Sequence, residues 1–215
     1  MRGTGRWRLR RTPPPPNLWK TPPPKVPITG GMKDLGDFGY AFAAAYGTSG
    51  DGSVVVGEAW NARFEQRAFR WTAAGGLQDL GTLGGVYAVS ADVSANGLVI
   101  VGQAYDINSN NHAFRWTAAS GMQDLGTFGG FESGAYAVSA DGSVVVGDSS
   151  DASGMTRAFR WTPANRMQSL STLYSGSIGS GSYLTYANAV SADGLHVGGY
   201  GYNRRNARYE AYLTN

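Results

Sequence analysis

Cysteine is absent from the 215 residues, which excludes a disulfide framework, a cysteine-ligated metal centre and a cysteine nucleophile. Histidine is scarce: His112 and His196 are the only two, so a histidine-rich metal site is excluded as well. No stretch approaches the roughly 18 consecutive apolar residues of a spanning helix. The basic start Met1 to Arg11 has no apolar segment after it, so no signal peptide is visible. A phosphate-cradling loop, a nucleophile elbow and a nucleotide fingerprint are all missing, and no cofactor is expected. Charged residues make up only 15% of the chain, a low fraction that suits many short strands joined by tight turns.

What is plentiful is glycine. The 32 glycines, 12% aromatic residues and 42% hydrophobic residues describe a packed protein of short strands and tight turns, hence an all-β fold. The sequence pI of 9.2 would suggest a nucleic-acid binder until the charges are placed along the chain. Residues 1–31 hold seven basic residues (Arg2, Arg6, Arg8, Arg10, Arg11, Lys20, Lys25) and no acid, leaving eleven basic against fifteen acidic residues in the rest. The remainder is mildly acidic, which argues against nucleic acid as a partner. Eight of the nine prolines fall in the same segment, including Pro13 to Pro16 and Pro22 to Pro24. Residues 1–31 therefore read as a basic, proline-rich disordered tail, and 32–215 as the folded region.

Self-similarity dominates that region. Met32-Lys33-Asp34-Leu35-Gly36 returns at steps of 45 residues as Leu77-Gln78-Asp79-Leu80-Gly81 and Met122-Gln123-Asp124-Leu125-Gly126, and more loosely as Met167-Gln168-Ser169-Leu170-Ser171. Ala68-Phe69-Arg70-Trp71 returns as Ala113-Phe114-Arg115-Trp116 and Ala158-Phe159-Arg160-Trp161, then after 53 residues as the degenerate Ala211-Tyr212-Leu213-Thr214. The third copy shows four candidate strands, a to d: Ala135 to Ala140, Ser143 to Gly147, Arg157 to Thr162 and Met167 to Leu173. Asp51-Gly52, Asn96-Gly97, Asp141-Gly142 and Asp193-Gly194 mark the a-to-b turns, predicted as type I′ hairpins. In the second copy two alignments of strand a compete, and periodicity favours Ser94 as the counterpart of Ser49 and Ser139.

A four-stranded sheet with two apolar faces must stack on its neighbours, and radial stacking of such sheets is a β-propeller. The repeats open on a lone strand d, Met32 to Phe38, and close on strands a, b and c of the fourth copy. The expected arrangement is a monomer of four four-stranded blades, closed by that N-terminal strand completing the C-terminal blade. A ring shared between two chains and an open array are the alternatives.

The strings His112-Ala113-Phe114-Arg115-Trp116-Thr117, Met122-Gln123-Asp124-Leu125-Gly126-Thr127 and Val138-Ser139-Ala140-Asp141-Gly142-Ser143-Val144-Val145-Val146-Gly147 resemble the HAF repeat family, over residues 32 to about 173. The resemblance implies a bacterial extracellular or cell-surface repeat protein, often a passenger region of an autotransporter, with no general enzymatic activity. Arg67 and Arg157 stand where the family name has histidine, and the fourth copy lacks the Arg-Trp pair. No membrane β-barrel follows Asn215, so a complete autotransporter is not expected.

The repeated residues read as architecture: Arg70 with Asp79 and Arg115 with Asp124 as cross-strand ion pairs, and Trp71, Trp116 and Trp161 packed between blades. Function is expected in the variable b-to-c loops, held rigidly by the strands on the same face as the d-to-a connections. The candidate ligand residues there are Trp60, Arg63 and Phe64; Tyr105, Asp106, Asn108 and Asn110; Asp148 and Asp151; and Tyr200, Tyr202, Arg204 and Arg205. Such aromatic and amide side chains suit glycans or peptides. Asp106 to Asn110 has the alternating oxygens of a calcium loop, yet Asn111 replaces the turn glycine and the distal glutamate is missing, so no metal is expected. The expected function is a non-catalytic extracellular binding module for a glycan or protein. The alternatives are a structural spacer and, disfavoured by the scarcity of histidine, a propeller enzyme.

Overall fold

Runs such as Val54-Val55-Val56 and Val144-Val145-Val146 have no polar alternation, and β-branched residues stiff at χ1 pack best on a strand covered on both faces. Each run is the start of a second strand in a four-stranded meander. The computed structural model describes residues 31–214, apart from the side chains of Tyr40 and Ala41, so the tail predicted over 1–31 lies almost wholly outside the described residues. The first unit comprises β1 (Gly39–Thr48), β2 (Val54–Asn61), β3 (Gln66–Thr72) and β4 (Gly76–Asp79). The second comprises β5 (Gly84–Val93), β6 (Ile100–Asp106), β7 (Asn111–Thr117) and β8 (Gly121–Asp124). The third comprises β9 (Gly129–Val138), β10 (Val145–Asp151), β11 (Thr156–Thr162) and β12 (Arg166–Ser169), followed by one helical turn, α1 (Leu170–Leu173). The fourth has three strands, β13 (Tyr183–Val190), β14 (Val197–Asn203) and β15 (Arg208–Leu213). Within every unit neighbouring strands are antiparallel; one parallel residue pair, Gln66 with Tyr87, joins the first unit to the second.

Three local expectations are corrected. The a-to-b turns are not type I′, which needs two residues at positive φ: only Gly52, Gly97, Gly142 and Gly194 lie there, and each donates its N–H to Ser49, Ser94, Ser139 or Ser191 three residues back. This is a type I turn closed by a left-handed glycine, and the serine hydroxyl is tied to the turn Asp or Asn in every copy. Ser94, and not Ser90, occupies the turn in the second copy. The last strand d stops at Ser169 rather than Leu173. Gly36, Gly81 and Gly126 take positive φ after the Asp-Leu pair, and Ser171 at the corresponding place keeps the chain right-handed, giving the helical turn.

The third correction concerns closure. Leu35 and Phe38 pack on Ala59, Phe69 and Trp71 of the first unit, as Leu80 and Leu83 do in the second and Leu125 and Phe128 in the third. They belong to the connection entering the first unit. Residues 32–37 lie in no strand, and β15 has no outer partner among the described residues, so the expected strand completing the C-terminal blade is not formed. The four sheets follow one another without closing.

Consecutive units are locked in two ways. Gly50 N–H donates to the Ala95 carbonyl at 2.9 Å, Ala95 to Ala140 at 3.0 Å, and Ala140 to Ala192 at 3.0 Å. Beside this ladder each turn glycine sits on the first valine of the preceding unit. A Cβ on Gly97, Gly142 or Gly194 would lie 2.6, 2.4 or 2.6 Å from Val54, Val99 or Val144, whereas one on Gly52 would meet nothing within 4 Å. Gly142→Ala is therefore expected to cost about 1–2 kcal/mol for the left-handed backbone and roughly 1–3 kcal/mol more for the clash, while Gly52→Ala incurs only the first. Urea unfolding midpoints of the two variants check the difference; equal losses would mean that the glycine does not serve the seam.

Candidate functional site: the loop rim

The end of each sheet where strand b meets strand c is built by a short recurring turn. Asn61, Asp106 and Asp151 each accept two backbone N–H groups in their side-chain oxygen, from residues two and four positions on. Asn203 accepts one in the same way from Arg205. A left-handed residue follows in each loop: Phe64, Ser109, Gly154 and Ala207. Isolated bridges from Phe38 to Asn61, Leu83 to Asp106 and Phe128 to Asp151 bring the incoming connection against the same loop. Loops and connections thus share one rim.

The rim sorts the candidate residues into different roles. Asp106 and Asp151 hold the turns. Asp106 accepts from the backbone N–H groups and both side-chain amides of Asn108 and Asn110, so its two oxygens, the first of the calcium-like series, are spent on the turn itself. Asp151 also binds Arg157 at 3.0 Å, and its carboxyl is held down at about 2, with the Ser153 hydroxyl the largest cause. Trp60 is half-buried, edge-on to Phe42 at 6.5 Å, and the Tyr105 ring lies tilted against Tyr87 with centroids 4.7 Å apart. Arg63 and Phe64 are exposed at the first loop, and Arg204 and Arg205 at the fourth. Each group lies on its own unit, so these residues form a discontinuous rim rather than one pocket.

Asp148 is a strand residue, not a loop residue. It accepts a hydrogen bond from the Tyr136 hydroxyl, and Tyr136 occupies the bulge where strand a gains one residue over strand b. Tyr46 occupies the equivalent bulge in the first unit and donates to Glu58 at 2.8 Å, with its own pKa pushed up to about 12 chiefly by burial. In the second unit Gln103 reaches the Tyr87 hydroxyl at 3.0 Å. The signal for these pairs was present in the sequence as a polar residue after each valine-glycine run, at 58, 103 and 148.

Tyr200 and Tyr202 do come together, with three tyrosines that the sequence did not single out. Tyr183 lies opposite Tyr202, Tyr202 opposite Tyr209, and Tyr186 opposite Tyr200 in the strand register. Ring centroids are 5.5 Å apart for Tyr183 and Tyr202 and 4.9 Å for Tyr186 and Tyr200, and Arg157 lies 4.9 Å over Tyr183. Behind this sheet a groove of about 200 Å³ is lined by Ile178, Leu184, Asn203, Glu210 and Tyr212. Glu210 is fixed there by Arg208, Asn206 and Asn203, which lower its carboxyl to about 2.

The repeated charges find partners that differ from those expected. Strand register puts Asp79 opposite Phe69 and Asp124 opposite Phe114, so each carboxylate shares a face with Arg67 or His112 rather than with Arg70 or Arg115. His112 meets Asp124 at 2.8 Å and Arg67 meets Asp79 at 3.9 Å. Arg115 instead crosses to the next unit, 5.8 Å over the Trp161 ring. His196, which stands in the fourth unit where the other units carry valine, is exposed, with its ring nitrogen 3.1 Å from the Thr214 carbonyl. Among the described residues no group of three or more His, Asp or Glu could hold a metal ion.

What the rim adds to those expectations is apolar surface. Phe64, Ile107 and Met155 in three successive b-to-c loops are 63%, 82% and 40% exposed. At the adjoining starts of strand a, Phe42, Val86 and Phe131 are exposed as well.

No family model matches the chain, and no curated protein sequence matches it. Among solved structures it is similar to TolB from Acinetobacter baumannii, with a TM-score of 0.53 and 13% identity over 80% of this chain and 43% of that one. It is also similar to a putative TolB from Agrobacterium tumefaciens, with a TM-score of 0.51 and 14% identity over 79% of this chain and 64% of that one. The chain spans less than two thirds of either protein. At such identity the likeness is one of fold: this is an all-β protein of the β-propeller type.

Burial raises the Asp148 carboxyl above its usual range, with Tyr136 opposing the rise. A group whose folded pKa exceeds its unfolded one makes the folded state bind more protons, so stability falls as pH climbs through that window and stays lower above it. Asp148→Asn is expected to flatten this decline. Urea midpoints at pH 4 and pH 7 provide the measurement; an unchanged pH slope would remove Asp148 as its source.

Proposed function

We propose that the chain is a non-catalytic binding module that recognises a protein or glycan through the loop rim. The observation that carries this reading is the row of exposed apolar side chains, Phe64, Ile107 and Met155, on loops whose own backbones are pinned by Asn61, Asp106 and Asp151. Exposed apolar side chains repeated along one rim and set among polar groups suit an interaction site, and a rigid loop loses little entropy when a ligand docks. The turn frame recurs in each unit while the side chains it displays differ, so recognition can be altered without disturbing the fold. The motif strings that resemble HAF repeats favour a bacterial extracellular or cell-surface setting for such a module.

A catalytic reading has less support. The acids that repeat along the chain are committed to turns and cross-strand pairs: Asp51 and Asp141 hold serine hydroxyls, and Asp124 holds His112. Glycan-array and protein pull-down profiles of the whole chain test the proposal. Binding should fall at least tenfold in Phe64→Ala and Ile107→Asp while the folded chain is retained, because both side chains are more than half exposed. A ligand retained at full affinity by both variants, or no ligand in either format, would leave the spacer reading in its place.

A further inference from the structure

We infer that the two end faces of the array are complementary and that a second copy of this chain docks head to tail, the first unit of one copy continuing the stack beyond the fourth unit of the other. Three observations at opposite ends of the array match each other.

The first is burial. Val93 and Val138, at one position of strand a, are buried against the preceding unit, and Thr48 at the same position of the first unit is exposed. Ile100, Val145 and Val197 are buried where Val55 is only half-buried. At the other end, Val54, Val99 and Val144 are covered by the following unit, and His196 in their place is exposed. Tyr200 and Leu213, on the same fourth unit, are exposed too.

The second is the seam. The turn ladder runs from Gly50 to Ala95 to Ala140 to Ala192 and stops there, with no acceptor for the Ala192 N–H among the described residues. The Gly50 carbonyl is the matching acceptor, and Gly52, with nothing within 4 Å of a built Cβ, is the matching glycine for His196.

The third is the missing strand. In each complete unit strand d pairs with strand c so that Asp79 faces Phe69, Asp124 faces Phe114 and Ser169 faces Phe159. The fourth unit has Tyr212 at the phenylalanine position and no strand d, while Met32-Lys33-Asp34 repeats the strand d sequence and lies in no strand. The same register applied between copies sets Asp34 of one opposite Tyr212 of the other and Lys33 opposite Leu213. Strand addition at an open edge supplies main-chain hydrogen bonds, and stacking supplies apolar burial, so both ends gain what every internal seam already has. The contact is heterologous and closes where each copy spans half a turn; two copies then make a ring of eight units, the upper end of the usual propeller range.

The experiment uses the full chain. Light scattering is expected to give twice the 22.7 kDa chain mass. Thr48→Arg, on the exposed position of the first unit, should weaken the dimer at least tenfold while the chain keeps its all-β far-UV circular dichroism. Mixing the single variants Lys33→Cys and Leu213→Cys under oxidation should give a covalent dimer that neither yields alone; the chain has no other cysteine. A chain-length mass overturns the inference, as does a doubly substituted chain that cross-links only within itself, which would mean that each copy closes alone. Loss of ligand binding at the rim with the dimer intact would count against the rim and not against this contact.

Discussion

Everything in this fold depends on how closely one sheet can approach the next. A left-handed glycine at the a-to-b turn removes the Cβ that would collide with the first valine of the preceding unit, and that approach lets the neighbouring turn amide reach across to a carbonyl. A single residue type thereby serves both the turn and the seam. Behind it the buried valines, Phe114, Phe159 and the tryptophans fill the space between sheets. The apolar surface is made useful by the spacing that the glycine permits.

Polar residues then finish the frame. Serine with aspartate or asparagine closes one end of each unit, and Asn or Asp closes the other by taking up backbone N–H groups that a bare loop would leave to water. The bulge in strand a turns Tyr46 and Tyr136 towards carboxylates on strand b, which places tyrosine hydroxyls and acids near the rim. Loops held in this way can carry exposed phenylalanine, isoleucine or methionine without unravelling, which suits them to recognition.

Much of the candidate rim was legible before any coordinates. The loops could be located because they interrupt an otherwise periodic pattern, and Phe64, Arg63, Arg204 and Arg205 are exposed on them. The roles of the acids were not legible: whether Asp106 offers oxygens to a ligand or to its own turn depends on loop conformation. The tyrosine group was half visible, since Tyr200 and Tyr202 alternate along one strand, whereas Tyr183, Tyr186 and Tyr209 join them only through strand register. Register likewise moved the Asp79 and Asp124 pairings to Arg67 and His112, because a shift of one residue in a strand exchanges its two faces.

Repetition in the sequence determined the all-β class, the number of units, the strand order within each and the positions of the turns, since all of these are local and recur at a fixed period. The tertiary structure decided what the period could not encode. It decided which sheet the segment before the first unit leans on, whether the ends meet, and which face each charge occupies. Leu35 and Phe38 carry the same residue types whether the following strand or a distant one receives them, and only the packed neighbours show that they belong to the first unit. Closure depends on the accumulated angle between sheets, a sum over many small contacts that no single motif specifies.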